Sequence, residues 1–374
     1  MPHVLPRKFL DGNIRRVDSK LPNKVSNKNA KGRKILATKD SSKKYSFKSY
    51  FDAINFFYEK GWTDGLPIVP PTPDLVTNMI NGTNFHRNEI IGFEPVKGRE
   101  ISIEKIAINA VMAGCDPTYF PVVVSAVKGL LKPEFNLHAI TASTMGAAVL
   151  AVVSGPLARQ IGINGKVNVF GPGHRANAAI GRAIRLIIIN ATGSKSGEID
   201  KGTLGHAGRY TWCITENDEA NKWDPIGVER GISLNENSVT LFAGLSPIQV
   251  SNHSSSDPEV ILRSFRDALF ATGQGQGEIV IVLCPEHAHN IFKAGWTKVR
   301  IKDYLYELSA RTDNEWGFGS INPGPKPEGK SISHSTLDPE GFTILVAGGF
   351  AGAFSQVIPL WGGGSNSQSV TMQI

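Results

Sequence analysis

Apolar residues recur along the chain at two spacings, one typical of helices and one typical of strands. Helical spacing marks residues 50–60 and 177–189, where apolar side chains return every three or four positions. Short apolar runs rich in β-branched and aliphatic residues indicate buried strands at 147–153, 167–170, 238–243, 279–283 and 343–347. Because the two patterns alternate, we predict an α/β fold with a mixed or parallel sheet covered by helices.

The predicted organisation has three parts. Residues 1–48 form a basic, partly disordered arm, residues 49–200 a first α/β lobe, and residues 201–374 a second α/β lobe. The length of 374 residues exceeds what one small core requires, which favours two lobes.

The composition excludes several classes of protein. Hydrophobic residues make up 41% of the chain and charged residues 20%, which is typical of globular proteins and not of a wholly disordered chain. No apolar run approaches the roughly 18 residues of a membrane-spanning helix. Cys115, Cys213 and Cys284 are too few for a disulfide framework. We therefore expect a reducing compartment and a cytoplasmic location.

The basic charge is concentrated in the arm. The chain has 40 Lys and Arg against 33 Asp and Glu, and residues 1–48 contain 14 of the basic residues but only three of the acidic ones. The remainder is therefore mildly acidic. A solvated arm explains this composition best. Contact with nucleic acid or another anionic surface, and organelle targeting, are the alternatives.

A glycine turn at residues 171–177 is the first candidate site. Gly171 and Gly173 leave backbone N–H groups accessible between a predicted strand and a predicted helix, which favours anion binding. The guanidinium of Arg175 can bind a phosphate or carboxylate through two hydrogen bonds. We expect these residues and Asn177 to bind the ligand, with His174 as a proton carrier. The pattern is neither a dinucleotide fingerprint nor a Walker loop. Whether a flavin or a nucleotide binds is left open, and a simple tight turn is the alternative.

A second candidate site follows the strand at 279–283. Cys284, Glu286, His287 and His289 supply a thiol, a carboxylate and two imidazoles, which serve in acid–base catalysis or metal binding. Ligand crevices in open α/β sheets lie outside the carboxyl ends of strands, where this stretch is expected. We predict that His287 is catalytic and that Glu286 contacts the ligand. The two-residue spacing of the histidines argues against a shared metal face, and a capping or surface histidine is the alternative.

Two carboxylates and one further thiol complete the candidates. Glu216, at the end of a predicted strand over residues 210–214, or Glu229 can act as a general base if burial raises its pKa. A solvated acidic loop is the alternative for both. Cys115 follows a predicted helix and can serve as a nucleophile or redox group, although a lone cysteine is commonly a small buried apolar residue.

Several short strings carry a family resemblance. They are residues 61–73 (GWTDGLPIVPPTP), 107–115 (AINAVMAGC), 170–177 (FGPGHRAN), 285–288 (PEHA) with 294–298 (AGWTK), and 347–349 (AGG). Together they resemble the large module of a bacterial family found beside or fused to a small thioredoxin-like module, which is named for its UGSC motif of selenocysteine or cysteine. The resemblance covers residues from about 50 to 374. It implies thiol- or selenol-linked chemistry shared with a partner chain, because no Cys-x-x-Cys pair occurs in this sequence.

Two functional hypotheses of different class follow. The first is an enzyme, or the large subunit of an enzyme, that acts on a small anionic substrate by thiol-linked redox or lyase chemistry and assembles as a homo- or hetero-oligomer. The second is a non-catalytic binding or scaffold subunit of the same complex. Binding of nucleic acid through the arm ranks below both. The enzyme hypothesis expects the stretches around residues 173, 216 and 287 to converge on one concavity.

Overall fold

Helices and strands alternate through the computed structural model of the protein, which describes residues 42–319, 332–362 and 366–374. The α-helices are α1 (Tyr50–Glu59), α2 (Pro73–Asn81), α3 (Ile103–Met112), α4 (Phe120–Leu130), α5 (Leu137–Ala142), α6 (Pro156–Gln160), α7 (Arg175–Ile187), α8 (Ile226–Glu229), α9 (Pro258–Arg263), α10 (Arg266–Thr272), α11 (Pro285–Lys293), α12 (Lys298–Leu308) and α13 (Asp313–Gly319). The strands are β1 (Ile90–Phe93), β2 (Glu100–Ser102), β3 (Ala148–Ser154), β4 (Cys213–Ile214), β5 (Ser238–Gly244), β6 (Ile248–Ser251), β7 (Ile279–Leu283), β8 (Arg311–Thr312), β9 (Ile332–Ser333), β10 (Phe342–Val346), β11 (Phe354–Pro359) and β12 (Val370–Gln373). The predicted α/β class is confirmed.

Two four-stranded mixed sheets form the centre of the molecule. In the first sheet the order is β12-β5-β3-β4, and β3 is parallel to β4 but antiparallel to β5. In the second the order is β10-β7-β11-β6, and β7 is parallel to β10 but antiparallel to β11. The edge strands β12 and β6 both pair antiparallel with their neighbours. The two sheets therefore share one pattern of strand directions.

The sheets pack face to face, with helices on both outer faces. Along β3, Leu150 and Val152 enter the core between the sheets, while Ala151 and Val153 face the helix layer that includes α3, α4 and α7. Strand β7 alternates in the same way, because Val280 faces the first sheet and the outward residues pack on α9–α12. Each strand thus has two buried faces, which explains why the strands read as continuous apolar runs.

Strands β3–β6 belong to the first half of the fold and strands β7–β12 to the second half. The last strand of each half joins the four-stranded sheet of the other half. After β3, β4 and β5 have built the first sheet, β6 joins the second; after β7, β10 and β11 have built the second, β12 joins the first. The two connections meet where Leu245 N–H donates to the Pro359 carbonyl at 2.8 Å and Trp361 N–H donates to the Ala243 carbonyl at 2.8 Å. Each half therefore depends on the other to complete its sheet.

Some predicted elements differ from the observed ones. Residues 167–170 form a turn and not a strand, because Asn168 has a left-handed φ of 59° and its carbonyl accepts the Gly171 N–H at 2.8 Å. The strand expected at 210–214 is reduced to β4, because a turn of 3₁₀-helix spans Ala207–Arg209. The helix expected at 177–189 begins two residues earlier and passes into a π-turn at Ile188–Thr192.

The predicted domain boundaries remain predictions. The first sheet takes strands from both sides of residue 200. Most of the basic arm, residues 1–41, lies outside the described residues. Within the part of the chain that the structure describes, no helix is long and apolar enough to cross a membrane.

Candidate active site

Three loops meet at the carboxyl ends of β7 and β10. Ala347 N–H donates to the Leu283 carbonyl at 3.1 Å, next to Cys284. One residue further, Gly348 N–H donates to the Gly165 carbonyl at 2.8 Å. Asn217 N–H donates to the carbonyl of Val346 at 2.8 Å and its side-chain amide to that of Gly348 at 2.9 Å. The loops that carry residues 165, 217 and 284 therefore lie side by side at one edge of the second sheet.

Cys284 occupies the turn from β7 into α11. Its extended backbone (φ −67°, ψ 157°) ends the strand, and Pro285 takes the first helical position, where a missing N–H costs nothing. The N-terminal end of this nine-residue helix carries partial positive charge, which favours a thiolate. The residue is 4% exposed. Its N–H donates to the Ser355 hydroxyl at 3.0 Å.

His287 lies one turn into the same helix and is buried. Its Nε2 is 3.1 Å from the Asn252 carbonyl. A carbonyl only accepts, so Nε2 carries a proton. Its Nδ1 is 2.7 Å from Ser355 Oγ, which can donate to a neutral ring or accept from a protonated one. Both ring nitrogens therefore have partners in either charge state.

The ionisation of the pair is coupled. Burial raises the pKa of Cys284, but the side chain, charge and backbone N–H of His287, together with the Ser355 hydroxyl, outweigh it, and the pKa is lowered. Burial lowers the pKa of His287, but the neighbouring Cys284 side chain, the charge of its thiolate and the Asn252 carbonyl outweigh it, and the pKa is raised. Both shifts favour thiolate and imidazolium together.

The corresponding turn of the first half has neither group. There β3 passes into α6 through Ser154, Gly155 and Pro156, and the sequence of residues 154–160, SGPLARQ, contains no cysteine or histidine. Gly155 has φ 100°, and a Cβ on it would lie 2.2 Å from the Glu236 carbonyl oxygen. The fold therefore builds a strand–proline–helix turn without a thiol and an imidazole.

Glu216 is a buried anchor between loops. Its carboxylate accepts from Ile226 N–H at 2.7 Å, from Val346 N–H at 3.3 Å and from the Asn221 amide at 3.0 Å. Burial raises the pKa of Glu216, while the charge of Lys298 and these N–H donors oppose the rise. The contacts are those of a structural carboxylate.

Glu229 forms a salt bridge with the ammonium of Lys298. That ammonium also donates to the Asp224 carbonyl at 2.7 Å. The carboxylate is thus engaged in an ion pair, and the charges of both partners act on the pKa of Glu216.

Cys115 lies in the apolar core of the first half. Its thiol donates to the Ala179 carbonyl at 3.3 Å, and burial raises its pKa to about 12 against the opposing charge of Arg175. Burial also raises the pKa of Cys213. Both thiols therefore stay protonated at neutral pH, whereas the pKa of Cys284 is lowered.

The glycine turn directs the side chain of Arg175 towards Gly114. Arg175 donates from Nε and Nη2 to the Gly114 carbonyl, at 3.3 and 3.1 Å, and its side chain is 65% exposed. His174 precedes α7 and, among the described residues, its side chain does not cap the helix. Two of the three predicted stretches, around residues 216 and 287, thus lie at neighbouring strand ends. The segment that leads into the glycine turn reaches the loop after β10, because a Cβ on Gly349 would lie 2.7 Å from Cγ2 of Val167.

The remaining predicted ligand residues have structural contacts or face solvent. Asn177 exchanges hydrogen bonds with the Asn164 backbone, accepting its N–H at 2.7 Å and donating to its carbonyl at 2.9 Å. Gly171 leaves room for Asn168, whose side chain would lie 2.1 Å from an added Cβ. Gly173 adopts φ 117°, which favours glycine. Glu286 is exposed in the first turn of α11.

Ser355 and Asn252 are the site residues that sequence reasoning missed. Cys284 could be recognised as a candidate from the sequence, since it directly follows a predicted buried strand and precedes a proline. The polar loop around Asn252 carried a weaker one. Ser355 carried none, because it is 71 positions from Cys284 and reaches it only through the pairing of β11 with β7.

No family model matches the chain. No curated protein matches it either. The family resemblance drawn from the short strings therefore remains a prediction. Among the described residues, no group of three or more His, Cys, Asp or Glu side chains is arranged to hold a metal ion.

Proposed function

We propose that the protein is an enzyme, or the large subunit of one, that acts on a small anionic substrate through the thiolate of Cys284. The observation that carries this proposal is the buried pair of Cys284 and His287 at the N-terminus of α11, in which the pKa of the thiol is lowered and that of the imidazole is raised. Perturbed pairs of this kind are concentrated at functional sites.

Each member of the pair has a defined role in this mechanism. Cys284 is the nucleophile, because a thiolate and not a thiol attacks an electrophile. His287 holds the proton and returns it to the leaving group. Asn252 orients the ring through Nε2, and Ser355 links Nδ1 to the Cys284 backbone.

Local charge supports an anionic substrate. The N-terminal end of α11 and an imidazolium at His287 both favour negative charge near Cys284. The glycine loop after β10 comes close to the same helix end, since a Cβ on Gly348 would lie 3.7 Å from Cδ of Pro285. Backbone without side chains permits close approach of a small ligand.

The second thiol of a redox cycle has to come from another molecule. Cys115 and Cys213 are held protonated within the first core, so Cys284 works alone in this chain. In disulfide exchange, the Cys284 thiolate attacks one sulfur of a disulfide, a mixed disulfide forms, and the departing sulfur takes the proton of His287. A thiol of a thioredoxin-like partner then attacks the mixed disulfide and releases Cys284. Lyase chemistry at the same thiolate needs no second thiol.

Alkylation by iodoacetamide across a pH series, with peptide mass spectrometry of all three cysteines, tests the nucleophile. We expect Cys284 to react with a midpoint below the value of about 8.5 for a free cysteine, while Cys115 and Cys213 stay unmodified in the folded protein. His287→Ala raises the midpoint of Cys284. His289→Ala, an exposed histidine on the same helix, is the matched control and leaves it unchanged. An identical midpoint in wild type and His287→Ala contradicts the proposal.

Purification of the chain alone and with a thioredoxin-like partner separates enzyme from scaffold. Turnover that requires both chains and disappears in Cys284→Ser supports shared thiol chemistry. A stable complex without turnover, in which Cys284→Ser changes nothing, supports the scaffold alternative.

A further inference from the structure

A cavity of about 740 Å³ lies between α1, α2, α3 and the π-turn that follows α7. This volume is within the range of small-molecule sites, roughly 300–1,000 Å³. Its walls include residues from two of the strings singled out in the sequence, 61–73 and 107–115. None of the residues assigned to the Cys284 site lines it.

Aromatic side chains form one wall of the cavity. Tyr45, Phe47, Phe57 and Trp62 all line it, and the rings of Tyr45 and Trp62 are 6.0 Å apart at their centroids. Tyr45 is 40% exposed and Phe47 37% exposed. Such a wall suits a flat aromatic ligand, because the ligand ring can stack on these side chains or pack against them edge to face.

Two asparagines form the polar end of the cavity, and their amide orientations are determined by carbonyl partners. The Asn109 amide nitrogen donates to the Lys105 carbonyl at 2.8 Å, so Asn109 Oδ1 is free to accept. The Asn190 amide nitrogen donates to that Oδ1 at 2.7 Å and to the Trp62 carbonyl at 3.0 Å. Reversing the Asn190 amide would put its oxygen against two acceptors.

These hydrogen bonds leave the side-chain oxygen of Asn190 without a donor. Oδ1 of Asn190 is buried and, among the residues that the structure describes, has no hydrogen-bond partner. A buried acceptor without a donor is costly and calls for an explanation. Asn190 lines the cavity, so a ligand there can supply the donor.

The residues that line the cavity include three cations, Lys43, Lys44 and Lys105. The Glu104 carboxylate, which also lines the cavity, pairs with Arg87 at 2.7 Å and accepts from the Ser42 hydroxyl at 2.8 Å. A cationic ligand therefore gains little from Glu104. An uncharged donor fits the free amide oxygen.

We propose that this cavity binds an uncharged aromatic or heteroaromatic small molecule, whose N–H group donates to Oδ1 of Asn190. The aromatic wall packs on the ring, and the asparagine pair selects the molecules that present a donor. The site is separate from the thiol chemistry, so either proposal can fail without the other.

Indole and N-methylindole are matched probes, because they differ mainly in the N–H group. We expect titration of the full chain, followed by calorimetry or ligand-observed NMR, to give indole about tenfold tighter binding than N-methylindole. Nuclear Overhauser contacts between indole and the Trp62 ring would locate it in the cavity. No binding of indole, or equal affinity for the two probes, overturns the proposal.

Asn190→Ala removes the acceptor and is expected to abolish the preference for indole. Gln356→Ala is the matched control, since it removes another buried amide oxygen without a partner among the described residues, in β11 and outside the cavity. It should keep the tenfold preference. If Asn190→Ala fails to fold because Trp62 and Asn109 lose their donor, the two probes on the wild-type chain decide the question alone.

Discussion

Oγ of Ser355 lies 2.7 Å from Nδ1 of His287 and accepts the Cys284 N–H at 3.0 Å. One hydroxyl in β11 thus connects the backbone of the cysteine with the ring of the histidine. This contact orients His287 towards the start of α11 and fills the hydrogen-bonding capacity of a buried imidazole.

Ser355→Ala is expected to destabilise the protein by about 1–3 kcal/mol, because the Cys284 N–H and Nδ1 of His287 both lose the buried hydroxyl that they contact. The alkylation midpoint of Cys284 should rise as well, since the hydroxyl helps to lower the pKa of the thiol. Urea unfolding measures the first effect. Ser238→Ala is the control: the Ser238 hydroxyl, in the first strand position of β5, is buried and has no partner among the described residues. Equal losses in the two variants would show that the Ser355 contacts contribute nothing specific.

Cys115 should make the protein sensitive to alkaline pH. Its pKa is raised from an ordinary value of 9.0 to about 12 by burial. Between these values the folded state binds more protons than the unfolded state, so the free energy of unfolding falls as pH rises, by up to about 1.4 kcal/mol per pH unit. Below pH 9.0 this contribution is fully present. Urea unfolding of wild type and Cys115→Ala over this pH window should give a shallower decline in the variant. Parallel declines would contradict the assignment.

Glu216→Gln distinguishes a structural role of the Glu216 carboxylate from a role as general base. The amide keeps only one acceptor oxygen where three N–H groups now donate, so we expect a loss of about 1–3 kcal/mol in the free energy of unfolding. Glu219→Gln is the control, because that carboxylate is 59% exposed and pairs with Lys166 at the surface. Unchanged stability together with lost thiol chemistry would make Glu216 a proton carrier instead.

Removal of residues 366–374 should disrupt the first sheet. Strand β12 completes that sheet, and its loss exposes the backbone edge of β5 and its apolar neighbours. We expect loss of cooperative thermal unfolding and association detected by size-exclusion chromatography. Gln373→Ala, which removes a side-chain bond to Glu236 and keeps the strand, should behave like wild type. A monomeric, cooperatively folding truncated chain would show that the exchanged strand is dispensable.

The local sequence was sufficient to predict those elements whose conformation depends on neighbouring residues. The apolar run at Ile279–Leu283 and the proline after Cys284 determine a strand that turns into a helix, and this placed His287 correctly at a strand end. The same reasoning failed at 167–170, where a short apolar run suggested a strand. The left-handed backbone of Asn168 and its bond to Pro172 form a turn there.

Tertiary structure decided the partners of these residues. Three cysteines look alike in the sequence, but burial keeps Cys115 and Cys213 protonated, while His287 and Ser355 favour the thiolate of Cys284. Propensity and periodicity act over a few residues, whereas strand pairing and desolvation depend on segments far apart in the chain. The α/β class and the start of α11 are therefore properties of the sequence alone, and the site in which Ser355 links Cys284 to His287 arises only when β11 pairs with β7.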